Sequence, residues 1–160
     1  MRTWEFRSEE VKNLLNPAFC GRVIHRAVSE YQKYTKGDFP FPLVYLVLPL
    51  VLPQRLRAEI NSRKQLLNWV QNHQELVFNF GKRARDLVEI TNEAVEFMMQ
   101  TGFMKITDNG ELSILSGPLS KTKHIDPEVK ECLTKSEHVG RWFAGAGKVE
   151  TVYISLGVRP

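Results

Sequence analysis

The run Leu43–Leu52, LVYLVLPLVL, constrains this chain more than any other stretch, because it is ten residues without a charge in a sequence that is 25% charged. A membrane-spanning helix needs about 20 such residues, so this run is too short to cross a bilayer. It is fenced by Pro40, Pro42 and Pro53, interrupted by Pro49, and followed at once by Arg55 and Arg57. It reads as a fully buried core segment, with a surface patch for a partner as the alternative. Proline can open a helical turn, where its missing N–H is not needed, or break a strand; short buried helices are the preferred reading. A chain of 160 residues has the size of one domain around one core. Its 42% hydrophobic content excludes disordered, collagen-like and coiled-coil classes. The net charge of +4 permits nucleic-acid contact without demanding it. Cys20 and Cys132 lie far apart, and no basic, then apolar, then small-residue leader opens the sequence. A cytoplasmic protein with reduced thiols is expected.

Asn16 followed by Pro17 pairs a capping oxygen with a ring whose φ is preset for the first helical position. Cys20, Ile24, Ala27, Tyr31 and Tyr34 then recur at helical spacing, predicting a helix to about Lys36 closed by Gly37. Upstream, Ser8 with Glu9 and Glu10 caps a short helix carrying Val11, Leu14 and Leu15. From Gln54 to Thr101 the pattern is helical, with breaks near Asn61, Asn72 and Ile90; Leu66, Leu67, Trp69 and Val70 form one cluster, and Leu76 to Val88 another. Thr91 is expected to cap a helix ended by Gly102. Phe103–Ile106 and Glu111–Leu115 flank Thr107-Asp108-Asn109-Gly110, a hairpin in which Asn-Gly suits a type I′ turn. Ser116–His124 reads as an exposed loop. Asp126, Pro127 and Glu128 start a helix with Val129, Cys132, Leu133, Val139 and Phe143 on one face, ended by Gly145 and Gly147. Val149–Leu156 stays open between a strand and a short helix closed by Gly157. The fold class is α+β, mostly helical. One domain, 1–160, divides into N-terminal helices and the apolar segment (1–53), a winged-helix-like unit of three helices and a hairpin (54–115), and a C-terminal helix and tail (116–160).

No catalytic motif closes. Gly145-Ala146-Gly147-Lys148 suggests a phosphate loop, but a Walker loop needs glycine where Trp142 stands and Ser or Thr where Val149 stands. A dinucleotide loop needs glycine where Glu150 stands. His25, His73, His124 and His138 are not paired as on a metal helix, and Cys132 with His138 lacks further ligands. Cys20 sits on an apolar stripe, where a buried thiol is the ordinary role. The expectation is no enzyme, no cofactor and no metal. For nucleic acid, the order of Ser62–Thr101 followed by Phe103–Leu115 is that of a winged helix. The helix before the wing offers Asn92, Glu93, Glu96 and Gln100 with no Lys or Arg, which phosphates repel. Basic residues gather instead at Arg55, Arg57, Arg63 and Lys64 and at Lys82, Arg83 and Arg85. They are either a solvated face or a face that touches DNA backbone without reading sequence.

The segments NLLNPAFCG (Asn13–Gly21), FPLVYLVLPLVL (Phe41–Leu52), GRWFAGAG (Gly140–Gly147) and LGVRP (Leu156–Pro160) together resemble the middle component of bacterial three-component ABC-ATPase systems. The resemblance carries nothing over Gly102–Lys135. It implies a non-enzymatic adaptor in an anti-phage or other conflict module, acting with a Rad50/SMC-like coiled-coil ABC ATPase and a third, effector component. It brings no catalytic residues. The residues in its motifs that could bind partners are Asn16, Pro17, Phe19, Arg22, Arg141, Trp142, Gly157 and Arg159, since Trp and Arg are favoured interface anchors; for Trp142 and Phe143 core packing stays open. Leu156 and Val158 are expected to dock on the Trp142 helix or on a partner, with Gly157 turning the chain to bring Arg159 to an acidic group. The alternative function is a DNA-binding winged-helix protein, either a transcription regulator or a DNA-sensing subunit.

Overall fold

A computed structural model of the chain describes residues 15–61, 63–115 and 126–158. The Ser8 helix, the Ser116–His124 loop and Arg159 lie outside them. Helix α1 spans Pro17–Thr35, and the Asn16 side-chain oxygen accepts from the N–H groups of Ala18 at 2.8 Å and Phe19 at 3.3 Å. Lys36, not Gly37, takes the left-handed conformation that ends α1, with φ of 61°. A left-handed lysine is held there by Thr35, whose hydroxyl donates to the Tyr31 carbonyl at 2.9 Å and accepts from the Gly37 N–H at 3.1 Å. The apolar run forms a 3₁₀ turn, Phe41–Leu43, and helix α2, Val44–Val51, buried throughout except at Tyr45. It is a core segment.

Four short helices follow: α3 (Gln54–Glu59), α4 (Leu66–Asn72), α5 (Gln74–Val77) and α6 (Phe80–Asp86). Helix α7 spans Val88–Gln100. Breaks fall between α3 and α4, around Asn61, and at His73, beside Asn72, as the pattern predicts; a further one falls at Asn79, with φ of 63°, and the last at Leu87, not near Ile90. Thr91 is therefore no cap: it lies one turn inside α7, fully buried, because Ile90, Ala94, Val95 and Met98 need the helix to start early enough to bury them in one stripe.

Strands β1 (Met104–Ile106) and β2 (Leu112–Ile114) pair antiparallel with Lys105 opposite Ser113. The turn is not type I′, since Gly110 alone has positive φ, +77°, and Asn109 does not. The Gly110 N–H reaches the Thr107 carbonyl at 2.8 Å and the Thr107 N–H reaches Glu111 at 2.7 Å, which closes a three-residue loop. Phe39 bridges Leu112 on the outer edge of β2, and the Gln32 side chain accepts from the Ile114 N–H at 2.9 Å. The hairpin is thus tied to α1, and α7 also packs mainly on α1. This packing lends no support to a winged-helix arrangement of 54–115. Helix α8 (Pro127–Ala146) is capped by Asp126 and ended by Gly147 at φ of +81°; Gly145 lies within it. The open tail is helix α9, Val149–Ser155, closed by Gly157 at φ of +70° with its N–H on the Ile154 carbonyl.

The two long helices, α1 and α8, run parallel and in contact. Val23 meets Ser136, Arg26 meets Glu137, Ala27 meets Gly140 and Glu30 meets Arg141, each step advancing along both helices. A methyl on Gly140 would overlap the Ala27 carbonyl oxygen and lie 3.1 Å from Cβ of Glu30. Ser136, one turn earlier, is buried and donates to the Val23 carbonyl. Gly21 on α1 faces α7, where a methyl would lie 2.7 Å from the Met98 side chain.

Arg57 corrects the expectation of a basic DNA-facing group: it is 1% exposed. Its guanidinium donates to the Val51 and Leu52 carbonyls at 3.1 and 2.8 Å, which are orphan acceptors at the end of α2. It also pairs with Glu131 at 2.8 Å and Glu128 at 3.0 Å. One side chain therefore caps the proline-containing helix and ties it to the start of α8.

Gly140→Ala should destabilise the protein by about 2–3 kcal/mol, because the obstacle is backbone, whereas Gly21→Ala should cost less, because Met98 can turn aside. Thermal unfolding checks this; equal losses would show that the helix contact is not the tight one. Arg57→Met should cost about 2–4 kcal/mol by stranding two buried carbonyls, while Glu128→Gln and Glu131→Gln should each cost below about 1 kcal/mol, since both carboxylates reach water. Urea titration measures all three, and an Arg57→Met loss no larger than the Gln variants would contradict the capping role.

Candidate functional site

Because α1 and α8 run parallel, their starts share one end of the molecule and their ends share the other. A groove of about 550 Å³ opens between the two starts, lined by Asn16, Ala18, Phe19, Arg22, Asp126, Glu128, Val129 and Cys132. Asn16, Phe19 and Arg22 from the sequence motif thus meet at one site, with Pro17 opening α1 beside them. The helix N–H groups nearest the groove are already engaged, by Asn16 on α1 and by Asp126 with the Glu128 N–H on α8. Glu128 is also held by Arg57. What the groove offers is an apolar floor with one arginine facing two carboxylates.

A second groove of about 560 Å³ opens at the other end, lined by Tyr34, Arg63, Lys64, Gln65, Arg141, Trp142, Ala144 and Gly145. Its wall is the connector between α3 and α4, which three donors hold in place. The Trp69 indole N–H bonds the Glu59 carbonyl at 2.7 Å, the Trp142 indole bonds the Lys64 carbonyl at 2.7 Å, and the Lys135 ammonium bonds the Ile60 carbonyl. The two tryptophans pack with ring centres 5.1 Å apart. Trp142 is 5% exposed, so of the two readings left open for it core packing describes its body, and only its edge reaches the groove. Phe143 is buried against Phe39. Arg141 places its Nε 3.1 Å from Glu30 and its guanidinium carbon 5.6 Å from the centre of the Tyr34 ring.

The remaining candidates do not join these grooves. Arg55, Lys82 and Arg85 are exposed. Arg83 is half-buried, with Nη1 buried and without a partner among the described residues. Leu156 is buried and Val158 packs against the core, while Gly157 is exposed in the closing turn. Tyr34, Arg63 and Lys64 were not singled out for Arg141's site by sequence, and no local signal joins positions so far apart; only the fold brings them together.

Burial favours the neutral forms of Cys132, His25 and His138, whereas the buried Arg57 is ion-paired with Glu128 and Glu131. Burial raises the Cys132 thiol above its usual range, with Arg57 opposing, and a protonated thiol is a poor nucleophile. Cys20 and Cys132 are both buried and form no disulfide. His25 is 3% exposed and its Nε2 has no partner among the described residues; burial, then the charge of Arg26, lowers its pKa from 6.5 to about 4. Burial, then Arg141 and Lys135, shifts His138 the same way. Among the described residues, no three His, Cys, Asp or Glu side chains gather as a metal site, and no helix is long and apolar enough to cross a membrane.

Below pH 6.5 the unfolded chain takes up protons that folded His25 refuses until about pH 4, so stability falls as pH falls through that window. From pH 7 to 5 the loss should be about 2 kcal/mol, or roughly 4–8 °C in melting temperature. His25→Met should remove most of this slope and leave a remainder from His138. An unchanged slope would show that His25 is not its source.

The chain matches the family model of the ABC-three component (ABC-3C) system Middle Component 3 over residues 4–160. Neither the curated proteins nor the solved structures give a match. The family match runs through both grooves and both long helices, so their geometry is that of the matched region: the chain belongs to the ABC-3C system Middle Component 3 family.

Proposed function

We propose that this chain is a non-enzymatic adaptor that joins a Rad50/SMC-like ABC ATPase to the effector component of its system, in defence against phage or a similar conflict. The observation that carries this reading is the pair of solvent-open grooves at opposite ends of the α1–α8 pair. Helix α1 has 19 residues, which separates the two ends by roughly 28 Å at 1.5 Å per residue. Two different partners can therefore dock without competing. Each groove is also chemically distinct, the first apolar with two carboxylates opposite Arg22, the second basic.

A second reading is sequence-independent contact with DNA backbone. Lys82 and Arg85 favour it, being exposed one turn apart on α6, whereas Arg57 is withdrawn from it by burial. Co-expression with the neighbouring ATPase and effector, followed by size exclusion, should give one co-eluting complex, and the isolated chain should hydrolyse no ATP. Separate elution of all three, or turnover by this chain alone, would overturn the adaptor reading. Replacing Lys82 and Arg85 by Ala should leave assembly intact and lower any DNA-binding salt slope by about 0.9 for each phosphate that is no longer neutralised.

A further inference from the structure

We propose that the groove formed by Tyr34, the Arg63–Gln65 connector and the last two turns of α8 receives an acidic, partly apolar segment of another component of the system. This rests on the adaptor reading and names the chemistry of one of its two docking sites. Arg63 and Lys64 are exposed, and their side chains have no partner among the described residues. Arg141 is held by Glu30 through Nε only, and by the Tyr34 ring, which fixes the plane of its guanidinium. Its terminal amino groups remain for a carboxylate, the acceptor that a planar guanidinium grips in two-point fashion. Three cations thus stand against one carboxylate at the rim, and the charge that completes the site is negative.

The floor favours a protein segment over a duplex backbone. The edge of Trp142, the side chain of Ala144, Gly145 and the 60% exposed Tyr34 ring present apolar surface that a sugar-phosphate backbone does not use. An occupant with a carboxylate beside an aliphatic or aromatic side chain uses both parts. Gly145 supplies an independent observation. It sits in the last turn of α8, one residue before the helix ends at Ala146, where alanine is the better helix former. Unlike Gly140, which must clear the Ala27 carbonyl, a methyl on Gly145 would meet no atom within 4 Å. Among the described residues, no packing neighbour calls for glycine there. The missing side chain leaves the groove floor clear for something from outside.

The full chain is reconstituted with the ATPase and the effector encoded beside it, as wild type, Gly145→Leu, and the double variant Arg63→Glu with Lys64→Glu. A zero-length carbodiimide, which joins an ammonium to a carboxylate, is applied to each assembly and the linked peptides are read by mass spectrometry. Lys64 should be found joined to an Asp or Glu of one component. Gly145→Leu should keep or raise the melting temperature yet weaken binding of that same component by about tenfold or more, and the double variant should do likewise. Wild-type assembly with loss below about tenfold in both variants, or without a Lys64 link, overturns the groove proposal and leaves the adaptor reading standing. Failure of the wild type to bind either component overturns the adaptor reading and, with it, the acidic occupant. A melting temperature lowered by Gly145→Leu would show that position 145 faces protein, not open groove, and also overturns the proposal. A parallel anisotropy titration uses labelled single-stranded and duplex DNA of about 20 nucleotides. Variants that lose DNA while keeping assembly would make the occupant a nucleic acid and overturn the proposal.

Discussion

The close approach of α1 to α8 is the contact on which the rest of the structure depends. Gly140 removes the side chain that would otherwise hold the helices apart, and the Ala27 carbonyl occupies the space. Ser136, one turn before, satisfies the Val23 carbonyl from within the seam, so that this close approach does not strand that acceptor. Ion pairs at Arg26–Glu137 and Glu30–Arg141 mark the edges of the seam and keep the register. α7 and the hairpin pack on α1, while Arg57 and the two tryptophans tie the short helices to α8. α5 rests on α3 and α4, and α6 on α2 and α7, so these two join the long helices through a neighbour.

The elements most legible in the sequence were those whose cause is local. Asn16-Pro17 and Asp126-Pro127 are helix starts because a carboxamide or carboxylate and a fixed φ act within four residues, and both starts stand where the pattern puts them. The hairpin strands and the core role of Leu43–Leu52 were legible for the same reason. What failed was decided from outside the window. Thr91 has the chemistry of a cap, but the stripe from Ile90 to Met98 pulls the helix start back to Val88 and buries the hydroxyl. Lys36 takes a conformation better suited to Gly37 because the Thr35 hydroxyl closes the turn one residue earlier. Arg57 looked like one of several surface cations, and only the arrival of Glu128 and Glu131, some 70 residues later, shows that it is a buried clamp.

Of the candidate site, the sequence identified the motifs but not the geometry. Asn16, Phe19 and Arg22 are close in the chain and share a groove, so their grouping was accessible. Arg141 and Trp142 were singled out as anchors, yet their neighbours Tyr34, Arg63 and Lys64 come from elements with no pattern linking them. Trp142 illustrates why composition misleads at such places. It is large and amphipathic, which suits an interface, and its indole N–H was free to serve the Lys64 carbonyl inside the fold instead.

Parallel neighbours impose a condition on how this chain acquires its shape. Antiparallel helices can zip from a short turn, whereas the Arg26–Glu137 and Glu30–Arg141 pairs each span 111 positions. Closing so long a loop carries an entropic toll before any of the seam's contacts form, and topologies rich in such distant pairs fold slowly for their helical content. During synthesis α1 precedes α8, so the side of α1 that Ser136 and Gly140 cover stays open until α8 has followed, although α2, α7 and the hairpin can reach its other side sooner. The seam is consequently completed late relative to α1, after the apolar surface that it covers has stood exposed to whatever is nearby.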